Sequence, residues 1–117
     1  MTVQECYAKM GGDYDDVMSR LRADDRVKRF LLKVADDKSF ALLTDMLAQK
    51  NVEEAFRAAH TLKGVSSNLS ITRLYQSACE MTEALRGKTE YSPEFETIYQ
   101  KVKADYELAI EAIKAID

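Results

Sequence analysis

Apolar side chains recur at helical spacing along almost the whole chain, and this periodicity constrains the fold more than any other feature. One face of the C-terminal segment stays apolar through Phe95, Ile98, Val102, Tyr106, Ala109, Ile113 and Ile116. An earlier segment repeats the spacing with Val27, Phe30, Leu31 and Val34 directed inward. Such a pattern predicts amphipathic helices, and no stretch shows the alternation of a strand. With four glycines and one proline in 117 residues, the sequence predicts an all-α fold.

Capping residues divide this pattern into seven helical segments. Short helices fall within about residues 2–35, where Gly11-Gly12 ends the first, and four longer helices fall within about 38–117. The predicted N-caps are Asp13, Asp24, Asn51, Ser70 and Ser92, the last followed by Pro93 at the first helical position. Short connections between the longer helices favour antiparallel neighbours. We therefore predict an up-down-up-down four-helix bundle with short flanking N-terminal helices, forming one domain over residues 1–117.

Charge and composition argue against several classes of function. The formal net charge is −3, whereas contact with nucleic-acid phosphates requires a basic face. No apolar run approaches the roughly 20 residues of a membrane span, and the start of the chain lacks the features of a signal peptide. Cys6 and Cys79 are far apart and there is one histidine, so we expect free thiols and no metal site. We expect a cytoplasmic protein that binds neither nucleic acid nor membrane.

The single histidine, His60, is the strongest candidate for chemistry. At 100° per residue it points about 130° away from the mean direction of the apolar stripe of its helix, so it should be exposed. Lys63, Gly64 and Ser67 follow at helical spacing and share its strip. A glycine inside a helix costs about 1 kcal/mol relative to alanine, yet the apolar pattern continues past this one. We interpret Gly64 as a residue that leaves room for a partner close to the imidazole.

The two polar neighbours leave alternatives open. Lys63 is either an ordinary solvated lysine or a cation that favours a phosphoryl group on the ring one turn away. Ser67 is either a surface serine or a hydroxyl that bonds the ring or a phosphate. A neutral imidazole has one ring nitrogen with a free lone pair, which a phosphoryl acceptor needs. No glycine-rich phosphate loop is present, which argues against ATP binding of the kinase type.

The residues around His60 also follow a family pattern. The run from Ala59 to Leu69 reads A-H-T-L-K-G-V-S-S-N-L and resembles the signature of histidine-containing phosphotransfer domains, A-H-x-L-K-G-x-S-x-x-L-G. The helical-bundle pattern extends the resemblance over most of the remaining chain. Ser70 stands where glycine is usual at the end of the signature. Some members place a polar side chain of the next helix beside the phosphorylated ring, and Gln76 and Thr82 are the candidates here.

The resemblance implies a phosphorelay carrier without kinase activity of its own. A phospho-aspartate of a receiver domain would pass its phosphoryl group to His60, with Lys63 stabilising it, and a second receiver would collect it. The partners would be response-regulator receiver domains, a hybrid histidine kinase, or both, docking at Gly64, Ser67 and Phe56. The chain would need no cofactor, since the receiver would supply Mg²⁺. We expect a free-standing monomer.

Two other functions stay open at the level of sequence. One is a binding module that docks a receiver without carrying phosphate. Such a docking-only relative would tend to lose the histidine, which this chain keeps. The other is a phosphatase that acts on receivers, which needs an acidic or amide side chain to orient water. Gln76 is the conceivable candidate for that role.

Overall fold

The computed structural model describes all 117 residues and contains seven α-helices and no β-strand. The helices are α1 (Val3–Met10), α2 (Tyr14–Leu21), α3 (Asp24–Asp36), α4 (Ser39–Ala48), α5 (Val52–Asn68), α6 (Thr72–Leu85) and α7 (Glu94–Lys114). The all-α prediction is confirmed, and each predicted segment corresponds to one helix.

Helices α4 to α7 pack in chain order, with α5 between α4 and α6 and with α6 against α7. Helix α4 also reaches α7, because Phe40 stacks on Tyr106 and Tyr99 with ring centroids 4.2 and 5.7 Å apart. The hydroxyls of Thr44 and Tyr99 share a hydrogen bond of 2.6 Å. Helices α1 and α3, which belong to the N-terminal third of the chain, also pack on α7. The up-down-up-down direction of the four longer helices and the single-domain boundaries stay predictions.

The buried apolar side chains form one continuous cluster that joins the helices. In α3, Val27, Leu31 and Val34 are buried as predicted. The prediction is wrong for Phe30, which is 39% exposed. Helix α3 buries only a narrow stripe, and Phe30 lies at its edge, where the Lys33 ammonium sits 5.2 Å from the ring centroid. The exposed aromatic ring therefore belongs to the surface.

Two of the predicted N-caps act as expected. The Asp13 side chain accepts a hydrogen bond of 3.0 Å from the backbone N–H of Asp16 at the start of α2. The Asn51 side chain accepts one of 3.2 Å from the N–H of Glu54 at the start of α5. Each bond satisfies one of the backbone donors that a helix N-terminus leaves free. The beginning of α5, the helix that carries His60, is thus defined by its local sequence.

Two other predicted N-caps are displaced by one residue. The N-cap of α3 is Ala23, and Asp24 instead accepts a 2.6 Å hydrogen bond from the Tyr14 hydroxyl. At α7 the cap position falls on Pro93, and Ser92 makes no side-chain capping bond. In α3, the Asp24 side chain that was predicted to cap the helix therefore bonds to a neighbouring helix instead.

The fifth predicted cap, Ser70, is wrong for a different reason. The N-cap of α6 is Ile71, and Ser70 has a left-handed backbone with φ of 55°. Its hydroxyl donates to an Asp16 carboxylate oxygen at 2.5 Å and accepts from the Arg20 guanidinium at 2.8 Å. A left-handed residue favours glycine, which is the usual residue at this point of the signature. Here side-chain hydrogen bonds hold a serine in that conformation.

The turn between α5 and α6 is tied to the N-terminal helices by further contacts. The Tyr7 hydroxyl donates to the Leu69 carbonyl at 2.7 Å, and the backbone N–H of Asp13 donates to the Ser70 carbonyl at 2.9 Å. A Cβ on Gly12 would lie 2.6 Å from a Tyr7 ring carbon and 2.9 Å from the Ser70 carbonyl oxygen. We call the residues Tyr7, Gly12, Asp16, Arg20 and Ser70 the turn cluster.

None of the seven helices combines the length and the apolar character that crossing a membrane requires.

Candidate functional site

His60 lies on the outer ridge of α5 and is exposed, as the helical spacing predicts. Its ring neighbours the Phe56 ring, with centroids 6.0 Å apart and planes inclined at 46°. Neighbouring side chains of α5 direct their hydrogen bonds elsewhere, since the Thr61 hydroxyl donates to the Arg57 carbonyl. The imidazole makes no hydrogen bond with the chain. Its ring nitrogens are therefore free to react with a group that arrives from solvent.

Gly64 lies one turn beyond His60, inside a helix that continues to Asn68. A Cβ built on it would meet nothing within 4 Å. Nothing inside the protein therefore requires a glycine here, although glycine weakens a helix by about 1 kcal/mol relative to alanine. The continuity of the helix is confirmed. The role of Gly64 in leaving room for a partner stays a prediction.

Lys63 and Ser67 are the polar members of the same strip. Lys63 is partly exposed and forms no ion pair, and Ser67 is exposed. The neighbouring serine, Ser66, is buried, and its hydroxyl donates to the carbonyls of Leu62 and Lys63. The structure shows no bond between the Ser67 hydroxyl and the His60 ring, so the role of Ser67 stays a prediction.

Phe56, the aromatic neighbour of His60, contacts a charged side chain at the end of α6. The Arg86 guanidinium carbon lies 5.2 Å from the centroid of Phe56. Arg86 also donates three hydrogen bonds of 3.0 to 3.2 Å to the Glu83 carboxylate. These bonds, with a smaller contribution from the positive charge of Lys63, lower the pKa of Glu83. Glu83 therefore lies in the field of two cations, Arg86 and Lys63.

The two α6 side chains singled out from the family pattern do not reach this place. Thr82 is fully buried, and its hydroxyl donates to the Ala78 carbonyl at 2.7 Å. Gln76 lines a groove between α6 and α7 that also contains Lys101 and Asp105. Sequence reasoning missed Arg86 and its partner Glu83, because only the packing of α6 on α5 brings Arg86 next to Phe56.

The opposite flank of α5 faces α2 and α3 and is mainly apolar. A groove of about 320 Å³ is lined by Leu21, Phe30, Lys33, Val34, Asp37, Val65, Asn68 and Leu69. Its α5 residues follow His60 by one to three turns. A smaller adjoining hollow joins Phe30 with three cations, Arg26, Arg29 and Lys33. None of these three forms an ion pair within the chain, so this flank presents apolar surface beside unpaired positive charge.

Both cysteines are free. Cys6 is buried, and burial raises the pKa of its thiol to about 11. Cys79 is partly buried in α6, and the proximity of its thiol raises the pKa of Tyr75. No three His, Cys, Asp or Glu side chains are grouped so that they could hold a metal ion.

Comparison with known proteins gives one match. The family model described as Hpt domain matches residues 28–115, about three quarters of the chain. The match includes His60 and runs from α3 to the end of α7, and it leaves α1 and α2 outside. No curated protein and no solved structure matches the chain.

Proposed function

The chain belongs to the Hpt domain family, whose members carry phosphoryl groups on histidine in phosphorelays, and we propose that His60 is the residue that does so here. One observation carries this proposal. His60 presents an exposed, unbonded imidazole beside a helical glycine whose Cβ position is empty. Phosphoryl transfer requires the acceptor and the donor to approach in line, so both the free nitrogen and the free space serve the reaction.

In the proposed step, the phosphoryl group passes from the aspartate of a receiver domain to His60. The lone pair of a His60 ring nitrogen forms the N–P bond while the P–O bond to the receiver's aspartate breaks, and the carboxylate leaves as an anion. The same step in reverse, with a second receiver, discharges His60. We propose that the partner receiver holds the Mg²⁺ and that this chain contributes no cofactor.

Each neighbour of His60 takes a distinct part in this proposal. Lys63, one turn away and without a carboxylate partner, offsets the charge of the phosphoryl group. Gly64 and Ser67 form the surface that the receiver backbone approaches, and Phe56 provides apolar contact beside the ring. These roles rest on position and chemistry.

Hpt domains interact with receiver domains and histidine kinases. For this chain we propose a receiver domain, alone or as part of a hybrid kinase, as donor and a second receiver as acceptor. We further propose that the protein works as a monomer in the cytoplasm. Gln76, the candidate of the receiver-phosphatase hypothesis, lies in the groove towards α7, so no specific observation favours that hypothesis.

The test is a phosphotransfer assay with a panel of phosphorylated receivers. The wild-type protein should gain an acid-labile phosphoryl group, and His60→Gln should lose all labelling because no second histidine exists. His60 is exposed, so the thermal midpoint of the variant should match that of the wild type. Labelling that persists in His60→Gln would refute the assignment. Receiver binding without any phosphohistidine would favour a docking module instead.

A further inference from the structure

Arg86 contacts Phe56, the aromatic neighbour of His60, in addition to its carboxylate partner. Its guanidinium lies 5.2 Å from the centroid of the Phe56 ring, and the same ring neighbours His60 at 6.0 Å. Guanidinium groups bind aromatic faces through the ring quadrupole. Phe56 therefore contacts both the guanidinium at the end of α6 and the histidine of α5.

The current anionic partner of Arg86 is Glu83, one turn earlier on the same helix. Three hydrogen bonds join the two side chains, whose exposures are 51% and 61%. Exposed ion pairs of this kind are weak, with a typical contribution below about 1 kcal/mol. A stronger anion that appears beside Phe56 can therefore compete for the guanidinium.

We propose that Glu83 competes with the phosphoryl group for Arg86. Glu83 binds Arg86 while His60 is free and releases it when His60 is phosphorylated. This inference rests on the proposed function of His60. It assigns Arg86 as a positioning residue for the phosphoryl group and Glu83 as the residue that limits how firmly the group is held.

Charge and geometry favour the exchange. A phosphoryl group carries about −1.5 to −2 charges and three strong acceptor oxygens, whereas Glu83 offers one negative charge. The planar guanidinium matches two oxygens at once. The positive charge of Lys63, on the strip of His60, makes a smaller contribution to the lowered pKa of Glu83, so Glu83 and the phosphoryl group would attract the same two cations. A phosphotransfer protein must also release the phosphoryl group. Competition from Glu83 would keep phosphohistidine from becoming too stable to pass the group on.

The test compares phosphohistidine lifetime and transfer equilibrium in Glu83→Gln, Arg86→Ala and the double variant. Glu83→Gln should lengthen the lifetime about two- to fivefold, the factor that a weak surface ion pair can supply. Arg86→Ala should shorten the lifetime, and the double variant should show no gain over Arg86→Ala. The difference between Glu83→Gln and wild type should shrink at high salt, because the competition is between exposed charges.

Glu80→Gln is the matched control. Glu80 lies on the same helix, but it accepts a 2.9 Å hydrogen bond from Lys101 of α7, so its loss should leave the lifetime unchanged. Equal lifetimes for wild type and Glu83→Gln, or a gain that survives in the double variant, would overturn the inference while wild-type labelling of His60 still upholds the proposed function. Labelling of His60→Gln would overturn both. Damage to the fold does not mimic the result, since the expected change in Glu83→Gln is a gain.

Discussion

Helix α5 and the turn that follows it show two opposite uses of the same polypeptide. Around His60 the surface is open: the imidazole has no hydrogen-bond partner in the chain, and a Cβ on Gly64 would touch nothing within 4 Å. At the turn cluster, ten residues further on, Ser70 is 7% exposed and bonded to two side chains. The contrast separates the residues kept free for a partner from those that hold the helix in place.

Gly12 and Gly64 show the same contrast when a Cβ atom is added to each. At Gly12 an added Cβ would lie 2.6 Å from the Tyr7 ring, a distance that requires the neighbours to move. At Gly64 the same atom would point into solvent. We therefore expect Gly12 to be required by the fold, and Gly64 by the approach of a partner.

The largest expected effect on stability is that of Gly12→Ala. The new methyl group would meet the Tyr7 ring and the Ser70 carbonyl, which lies 2.9 Å from its position. Overpacking of this kind costs about 1–3 kcal/mol, and the Ser70 carbonyl is backbone, which yields less easily than a side chain. Urea unfolding should show a lower midpoint with an unchanged slope. A stability equal to that of the wild type would mean that the turn cluster adjusts freely.

A smaller effect is expected for Ser70→Ala. The substitution keeps the strained left-handed backbone but removes the hydroxyl that bonds Asp16 and Arg20. A lost hydrogen bond at a buried residue costs about 1 kcal/mol, to be measured by thermal or urea unfolding. Ser70→Gly is the matched control, because it loses the same bonds and relieves the backbone. If Ser70→Gly is as unstable as Ser70→Ala or less stable, the φ of 55° carries no strain.

The smallest effect on stability, and of opposite sign, is expected for Gly64→Ala. Alanine in an exposed helix interior is favoured over glycine by up to about 1 kcal/mol, so the variant should unfold at a slightly higher temperature. Its phosphotransfer rate should fall by about tenfold or more, because a displaced donor loses in-line alignment. A stabilised variant with wild-type transfer would show that the space beside His60 is not used by the partner.

Local signals were readable from the sequence, whereas signals that depend on distant residues were not. Asp13 and Asn51 cap their helices because a cap involves only the next three residues. The exposure of His60 followed from helical periodicity, and the contiguous signature around it predicted the family that the Hpt match now shows. Its role as phosphoryl carrier stays a proposal.

Most of the failures involve contacts between elements. Ser70 was assigned to a cap, yet its conformation depends on Asp16 and Arg20, some fifty residues earlier in the chain. Phe30 follows the apolar spacing of α3 but lies outside the width of the buried stripe. Arg86 was missed because its proximity to Phe56 depends on how α6 packs on α5. A single sequence contains the residues that make these contacts, but it does not identify their partners.

The turn cluster also bears on the order in which the chain folds. The hydrogen bonds from Tyr7 to Leu69 and from Arg20 to Ser70 join residues 62 and 50 positions apart, so closing them costs the chain more entropy than forming the neighbouring α5–α6 pair. Contacts of long sequence separation tend to slow folding. We expect the helix pair around the histidine to assemble first and the N-terminal helices to join last. The strip around His60 would then form before the N-terminal helices pack onto the rest of the molecule.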